Sequence, residues 1–156
     1  MAKRTVELAR QTQDKQVIAW AETYCGEAER ILGELEQAAV HLSRAHQGFT
    51  DIGSRSGMAE VAYCYGRTAE HQLQMSEAQS YYQQALELAT ELRLHAIQIR
   101  CVMGLLRLAQ AQKLGAKETE WLAKLETLIG TLPTALAPAD RMAYDKLLVH
   151  SETVGQ

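Results

Sequence analysis

The chain has 156 residues, 47% of them hydrophobic and 22% charged, with a formal net charge of −3. This length suits one domain that buries roughly two-thirds of its unfolded surface, so stability needs no disulfide or metal. Basic residues are interspersed with acidic ones, which argues against a dedicated nucleic-acid binder. No apolar stretch approaches the roughly 20 residues that cross a bilayer, and no signal-peptide core is visible, so we expect a soluble, cytoplasmic protein.

The pattern of residue types predicts helices throughout. Both prolines, Pro133 and Pro138, lie near the C-terminal end, so long uninterrupted helices are possible upstream of them. Val, Ile and Thr never form alternating runs bounded by turns, and therefore no strand is predicted. We expect an all-α domain spanning residues 1–156.

The first predicted helix, residues 4–13, resembles half of a helical hairpin. A shift of eighty residues places residues 6–9 on residues 86–89, in the second helix of a later hairpin. We expect that the chain is a piece of a longer array; the alternative is that this half-hairpin serves as an N-terminal cap. If an upstream hairpin has been removed, apolar surface around Val6, Leu8 and Val17 is exposed, and a homodimer can form through this end.

Three complete hairpins follow, at residues 17–52, 57–94 and 96–132. A shift of forty residues aligns the first with the second, placing Gly26 on Gly66, Ala38 on Ala78, Leu42 on Tyr82, Ala45 on Ala85 and Ile52 on Leu92. The same shift aligns the third, placing Trp121 on Tyr81, Leu122 on Tyr82, Leu125 on Ala85, Leu128 on Leu88 and Leu132 on Leu92. We expect each hairpin to be one repeat of a stacked array.

The middle hairpin shows how two helices cross. Antiparallel helices approach closely only where a residue without bulk faces the crossing, so Gly66 and Ala78 let the backbones close while Tyr65 and Tyr82 fill the flanking space. In the third hairpin Leu106 replaces this glycine and Glu118 replaces the alanine. We therefore expect the third hairpin to open at a wider angle.

The last predicted helix covers residues 139–150, after a break at Gly130 and Pro133. Ala143, Tyr144, Leu147 and Leu148 give this helix one apolar face, so it is expected to close the stack as a cap.

The spacing of Gly66, Ala78, Tyr82 and Ala85 resembles that of the tetratricopeptide repeat family. The forty-residue length exceeds the usual 34, and the closing proline is missing. In both respects the repeats of this chain resemble the longer repeats of bacterial signalling proteins. Those proteins include the LuxR-type ATPase transcription activators related to the maltose regulator. The resemblance implies antiparallel hairpins stacked as a right-handed superhelix, with a protein or peptide as partner.

In this family the first helix of each hairpin lines a concave groove, which implies twelve groove positions. They are Trp20, Thr23, Glu27 and Arg30, then Glu60, Tyr63, Arg67 and Glu70, then Arg100, Met103, Arg107 and Gln110.

Three of these positions make one end of the groove basic. Arg67, Arg100 and Arg107 are expected to bind a carboxylate bidentately, since guanidinium groups on adjacent helices suit that geometry. The alternative is a solvated face on which Glu60 and Glu70 neutralise the arginines. Tyr63 and Met103 are candidates to hold an apolar anchor, whereas Tyr81, Tyr82 and Trp121 are expected to fill the core.

The residues give no sign of a catalytic, cofactor or metal site. None of the five histidines has a partner four residues away; His41 and His46 are five apart. The loop 51–57 lacks the Gly-Lys-Ser/Thr of a phosphate loop, and no nucleophile follows a strand. Cys25, Cys64 and Cys101 are widely spaced and are expected to be reduced structural residues.

We therefore predict a non-enzymatic scaffold or sensor domain of a bacterial signalling or transcription regulator, which binds a protein or peptide and contacts no nucleic acid or membrane directly. Two alternatives stay open. One is a small-ligand sensor whose groove closes around a metabolite, and the other is an accessory domain of an enzyme whose catalytic part lies elsewhere.

Overall fold

A computed structural model describes residues 2–132 and 136–154, which form eight helices and no strand. The helices are α1 (Ala2–Gln11), α2 (Lys15–Leu32), α3 (Leu35–Asp51), α4 (Arg55–His71), α5 (Met75–Glu91), α6 (His95–Ala111), α7 (Gly115–Gly130) and α8 (Pro138–Val154). The predicted all-α class is confirmed, and the predicted hairpins correspond to α2–α3, α4–α5 and α6–α7. Pro133, at the predicted break before α8, lies outside the described residues.

A left-handed residue recurs every twenty positions and follows the end of each of the first six helices. The backbone φ angle is positive at Gln13 (56°), Gly33 (81°), Gly53 (68°), Leu73 (59°), Arg93 (56°) and Lys113 (55°). At five of these turns the next amide bonds back to a carbonyl five residues earlier, as in Gln74 to Ala69 at 2.9 Å and Leu94 to Ala89 at 2.8 Å. This bond closes a Schellman motif, which ends a helix and reverses the chain.

The helices stack in chain order and form two layers. From α1 to α7 each helix packs on its neighbours in sequence, and α4 also packs directly on both α2 and α6. These three helices are the first helices of the hairpins, and they make one continuous face. The last helix, α8, packs on α6, and its described residues make no interface with α7, the helix that precedes it.

The packing is tight around Tyr82 of α5, which is fully buried. A Cβ atom at Gly66 of α4 would lie 2.6 Å from Cδ1 of this ring, and one at Gly104 of α6 would lie 2.6 Å from Cζ. The ring therefore sits beside two glycines, one on each flanking helix. Because neither glycine has a side chain, helices α4, α5 and α6 can approach one another closely. Leu106, which occupies the position of the crossing glycine, is itself fully buried.

The three cysteines are buried in the first helices, Cys25 in α2, Cys64 in α4 and Cys101 in α6, and all three are free thiols. Burial raises the pKa of each thiol, and the pKa of Cys101 reaches about 12. The thiols therefore stay protonated at neutral pH and pack as small apolar groups.

Candidate functional site

The twelve predicted groove residues lie on α2, α4 and α6, the three helices that share one face. The side chains are not equally accessible. Thr23, Arg30, Tyr63, Met103 and Gln110 are buried. The other seven, Trp20, Glu27, Glu60, Arg67, Glu70, Arg100 and Arg107, are partly exposed. Tyr63 and Met103, predicted to hold an apolar anchor, therefore offer little surface to a partner.

Two of the three groove arginines are already paired with glutamates. Arg100 donates from Nη1 and Nη2 to the two carboxylate oxygens of Glu60 at 3.0 and 3.3 Å. Arg107 donates from Nε and Nη2 to Glu70 at 2.8 and 3.0 Å. Both pairs join α4 to α6 in the bidentate geometry that makes arginine–carboxylate bonds strong. For these two arginines the geometry matches the alternative in which Glu60 and Glu70 neutralise the positive charge.

Arg67 is different, because its guanidinium forms no ion pair with a carboxylate of the described residues. Its Nη1 donates to the hydroxyl oxygen of Tyr63 at 2.9 Å. The guanidinium carbon also lies 5.9 Å from the centre of the Tyr63 ring, and that of Arg100 lies 5.2 Å from the same centre. The ring is thus a shared surface for two cations, and Arg67 keeps most of its donors for another acceptor.

A hydrogen-bond network connects this face to the core. The hydroxyl of Tyr82 donates to Oε2 of Glu70 at 2.5 Å, and Nη2 of Arg107 lies 3.4 Å from the same hydroxyl. Burial alone would raise the pKa of Glu70, but the bonds and charge of Arg107, the Tyr82 bond and the charge of Arg67 together lower it. The sequence analysis placed Tyr82 in the core but did not predict the hydrogen bond of its hydroxyl. A buried tyrosine hydroxyl usually has a hydrogen-bond partner, so the prediction that Tyr82 is buried was itself a sign that such a partner exists.

The α2 end of the face is closed by its own side chains. Arg30 donates to both carboxylate oxygens of Glu27 at 3.0 and 3.1 Å and lies 3.1 Å from Nε2 of His71. The Thr23 hydroxyl donates to the backbone carbonyl of Ala19 at 2.9 Å. Trp20 packs edge-on against Phe49, with ring centres 5.0 Å apart. The hydrogen-bonding groups at this end are therefore largely occupied by partners within the chain.

A buried acid–histidine cluster ties α2 to α3. Nδ1 of His41 lies 2.5 Å from Glu22, and its Nε2 lies 3.3 Å from Glu29. Arg10 of α1 reaches Glu22 from the other side at 3.4 Å. One oxygen of Glu29, Oε2, is buried without a hydrogen-bond partner. Sequence reasoning considered His41 only as a metal ligand; the cluster depends on packing between helices, which residue spacing does not reveal.

Two open cavities adjoin Arg107, one of the two paired arginines. One, of about 820 Å³, is lined by Glu70, Arg107, Gln110, Ala111, Lys113, Gly115 and Glu118. The other, of about 490 Å³, lies where α8 meets α6 and is lined by Arg107, Gln110, Ala139, Met142, Ala143, Lys146 and Leu147. Four of the seven residues around the larger cavity are charged. Within the described ranges, no group of histidine, cysteine and acidic residues is arranged to hold a metal ion.

The fold and this face define an all-α helical-repeat protein. No protein-family model matches the chain, and a search of curated proteins finds no significant match. Of the helices described, none has both the length and the apolar character that a bilayer-spanning segment requires.

Proposed function

We propose that this chain is a non-enzymatic domain that binds an acidic peptide segment of another protein across the face formed by α2, α4 and α6. The observation that supports this function most directly is the state of Arg67. Its neighbours Arg100 and Arg107 each hold a glutamate, whereas Arg67 holds only a phenol oxygen. A carboxylate from a partner would give Arg67 the bidentate acceptor that the other two arginines already have.

The local charge balance points the same way. Arg100 and Arg107 are each paired with one glutamate, and Asp140 adds negative charge near Arg100, whereas the charge of Arg67 has no paired carboxylate among the described residues. A charge that is partly removed from water gains more from a partner than a fully solvated one. One carboxylate, from an acidic side chain or a C-terminus, would balance this charge.

The shape of the neighbouring cavities supports a peptide more than a small metabolite. Small-molecule sites are concave, largely enclosed and mostly apolar, with a few polar groups. The two cavities beside Arg107 are open rather than enclosed. An extended segment can lie across such a face and use only a few anchor points. In keeping with the resemblance to long-repeat bacterial signalling proteins, we place this domain in the cytoplasm, as a scaffold or sensor of a signalling or transcription regulator.

Matched peptides provide the test. The test uses an array of peptide pairs. In some pairs the two peptides differ only in that one Glu is replaced by Gln, and in the others one peptide has a free C-terminus and its partner an amidated one. Acidic members that bind the wild type better than their neutral partners are then titrated against Arg67→Gln. A lost charge-assisted hydrogen bond is worth about 1.5–3 kcal/mol, so we expect affinity to fall about tenfold to a hundredfold.

The matched control is Arg44→Gln, which removes an exposed arginine from α3, outside the proposed face. This variant should bind the acidic peptides as the wild type does. The proposal fails if acidic peptides show no advantage over neutral ones, or if Arg67→Gln binds them with unchanged affinity while its helicity is intact.

A further inference from the structure

A histidine lies one helical turn from the arginine that the proposed function uses. His71 is the last residue of α4 and follows Arg67 by four residues, so the two side chains are neighbours on one side of the helix. Tyr63, whose hydroxyl accepts the hydrogen bond of Arg67, lies one turn before them. The imidazole of His71 is exposed, and a proton from solvent therefore reaches it without any movement of the helices.

The contact with Arg30 of α2 fixes the protonation state of this imidazole. Nη1 of Arg30 lies 3.1 Å from Nε2 of His71. A guanidinium can only donate, so Nε2 must accept, and the ring is neutral with its proton on Nδ1. Arg30 is held in place, because its side chain is 4% accessible and its other nitrogens donate to both oxygens of Glu27. A proton on Nε2 would replace the hydrogen bond with two N–H groups that face each other.

The charges around His71 also oppose its protonation. The four charged groups that act on it most strongly are Arg30 and Glu27 of α2 and Arg67 and Glu70 of α4 itself; none of the four lies on α3, α5 or α6, the other helices that pack on α4. Both glutamates are already paired, Glu27 with Arg30 and Glu70 with Arg107 of α6. Burial and the charges of Arg30 and Arg67 lower the pKa of His71, and the two glutamates offset this only in part.

We propose that binding of an acidic segment at Arg67 is linked to protonation of His71, so that the segment binds more tightly as the pH falls. The neutral imidazole keeps its bond to Arg30 and adds no charge to the face. The imidazolium gives up that bond and places a second positive charge beside Arg67. This inference rests on the proposed function, since it describes how the same site is regulated.

The direction of the effect follows from linkage. A carboxylate bound to Arg67 would cancel one of the two positive charges that oppose protonation, and it would attract the imidazolium directly. The pKa of His71 should therefore be higher in the complex than in the free chain. Between these two pKa values the complex holds more protons, so affinity must rise as the pH falls through that range. A difference of about half a unit to one unit in pKa corresponds to about threefold to tenfold tighter binding.

The test compares the affinity of an acidic peptide, selected from the array, at about pH 8 and about pH 5.5, where its glutamates remain ionised because their ordinary pKa is about 4.3. His71→Gln keeps an acceptor oxygen for Arg30 and never titrates. His46→Gln, at an exposed position of α3, is the matched control. We expect wild type and His46→Gln to bind about threefold to tenfold more tightly at the lower pH, beyond any gain that His71→Gln shows.

Nuclear magnetic resonance gives a second readout, because the imidazole signals of His71 report its pKa directly. In the free chain, Arg67→Gln should raise this pKa, and in the wild type the acidic peptide should raise it. An equal pH dependence of affinity in wild type and His71→Gln overturns the linkage, and so does a His71 pKa that the peptide leaves unchanged. In either case a preference for acidic over neutral peptides at pH 8 would still support the proposed function. Absence of that preference at both pH values overturns the function and the linkage together.

Discussion

Replacing Gly104 with alanine should destabilise the fold through a single aromatic ring. The added Cβ would lie 2.6, 2.7 and 2.9 Å from Cζ, Cε2 and Cε1 of Tyr82. The ring has little room to retreat, because a Cβ at Gly66 would also lie only 2.6 Å from its Cδ1. Movement would also disturb the hydrogen bond from the Tyr82 hydroxyl to Glu70.

The expected magnitude combines opposing effects. Overpacking a filled core costs about 1–3 kcal/mol, whereas alanine in a helix interior is favoured over glycine by about 1 kcal/mol. Weakening a hydrogen bond to a charged group costs up to about 1.5–3 kcal/mol. We expect a net loss of about 2 kcal/mol, which for a chain of this size lowers Tm by about 4–8 °C.

The assay is urea unfolding followed by circular dichroism, run as a double-mutant cycle with Tyr82→Leu. Leucine lacks the Cε and Cζ atoms that meet Gly104, so in that background Gly104→Ala should be neutral or stabilising. Gly115→Ala, where a Cβ would have no neighbour within 4 Å, serves as the control and should cost nothing. An equal loss from Gly104→Ala in both backgrounds would refute the role of the ring.

Three further predictions follow from the pKa shifts and the backbone. Since burial raises the thiol pKa values, native protein should react very slowly with Ellman's reagent at pH 8, and all three thiols should react after unfolding. Because the pKa of Glu70 is lowered in the folded state, its contribution to stability is complete above the ordinary glutamate pKa and is lost as the pH falls. When urea unfolding is compared at about pH 5 and pH 3, Glu70→Gln should therefore lose less free energy of unfolding than the wild type. Leu73 holds a φ of 59° and is exposed, so Leu73→Gly should raise the free energy of unfolding by about 0.5–1 kcal/mol, whereas Leu73→Ala should not.

Part of the architecture could be read from residue spacing. The forty-residue alignment placed the hairpins, because each repeat must bury the same pattern of small and large apolar residues against its neighbour. It also placed the twelve groove positions on three helices that do lie side by side. The turn chemistry was harder to see, since four of the six left-handed positions are Gln13, Leu73, Arg93 and Lys113, which carry no glycine signal.

The sequence by itself therefore determined the helices and their order, because these depend on periodicity along the chain. It did not determine which of the twelve predicted groove side chains are accessible, since five of them are buried. Only the tertiary structure decided which arginine has no carboxylate partner among the described residues. Arg67, Arg100 and Arg107 are equivalent as residue types, but helix packing brings Glu60 to Arg100 and Glu70 to Arg107 and leaves Arg67 beside a tyrosine. Whether two charged groups form an ion pair depends on differences of a few ångströms in the distance between side chains on separate helices. The spacing of residues along one helix does not specify that distance.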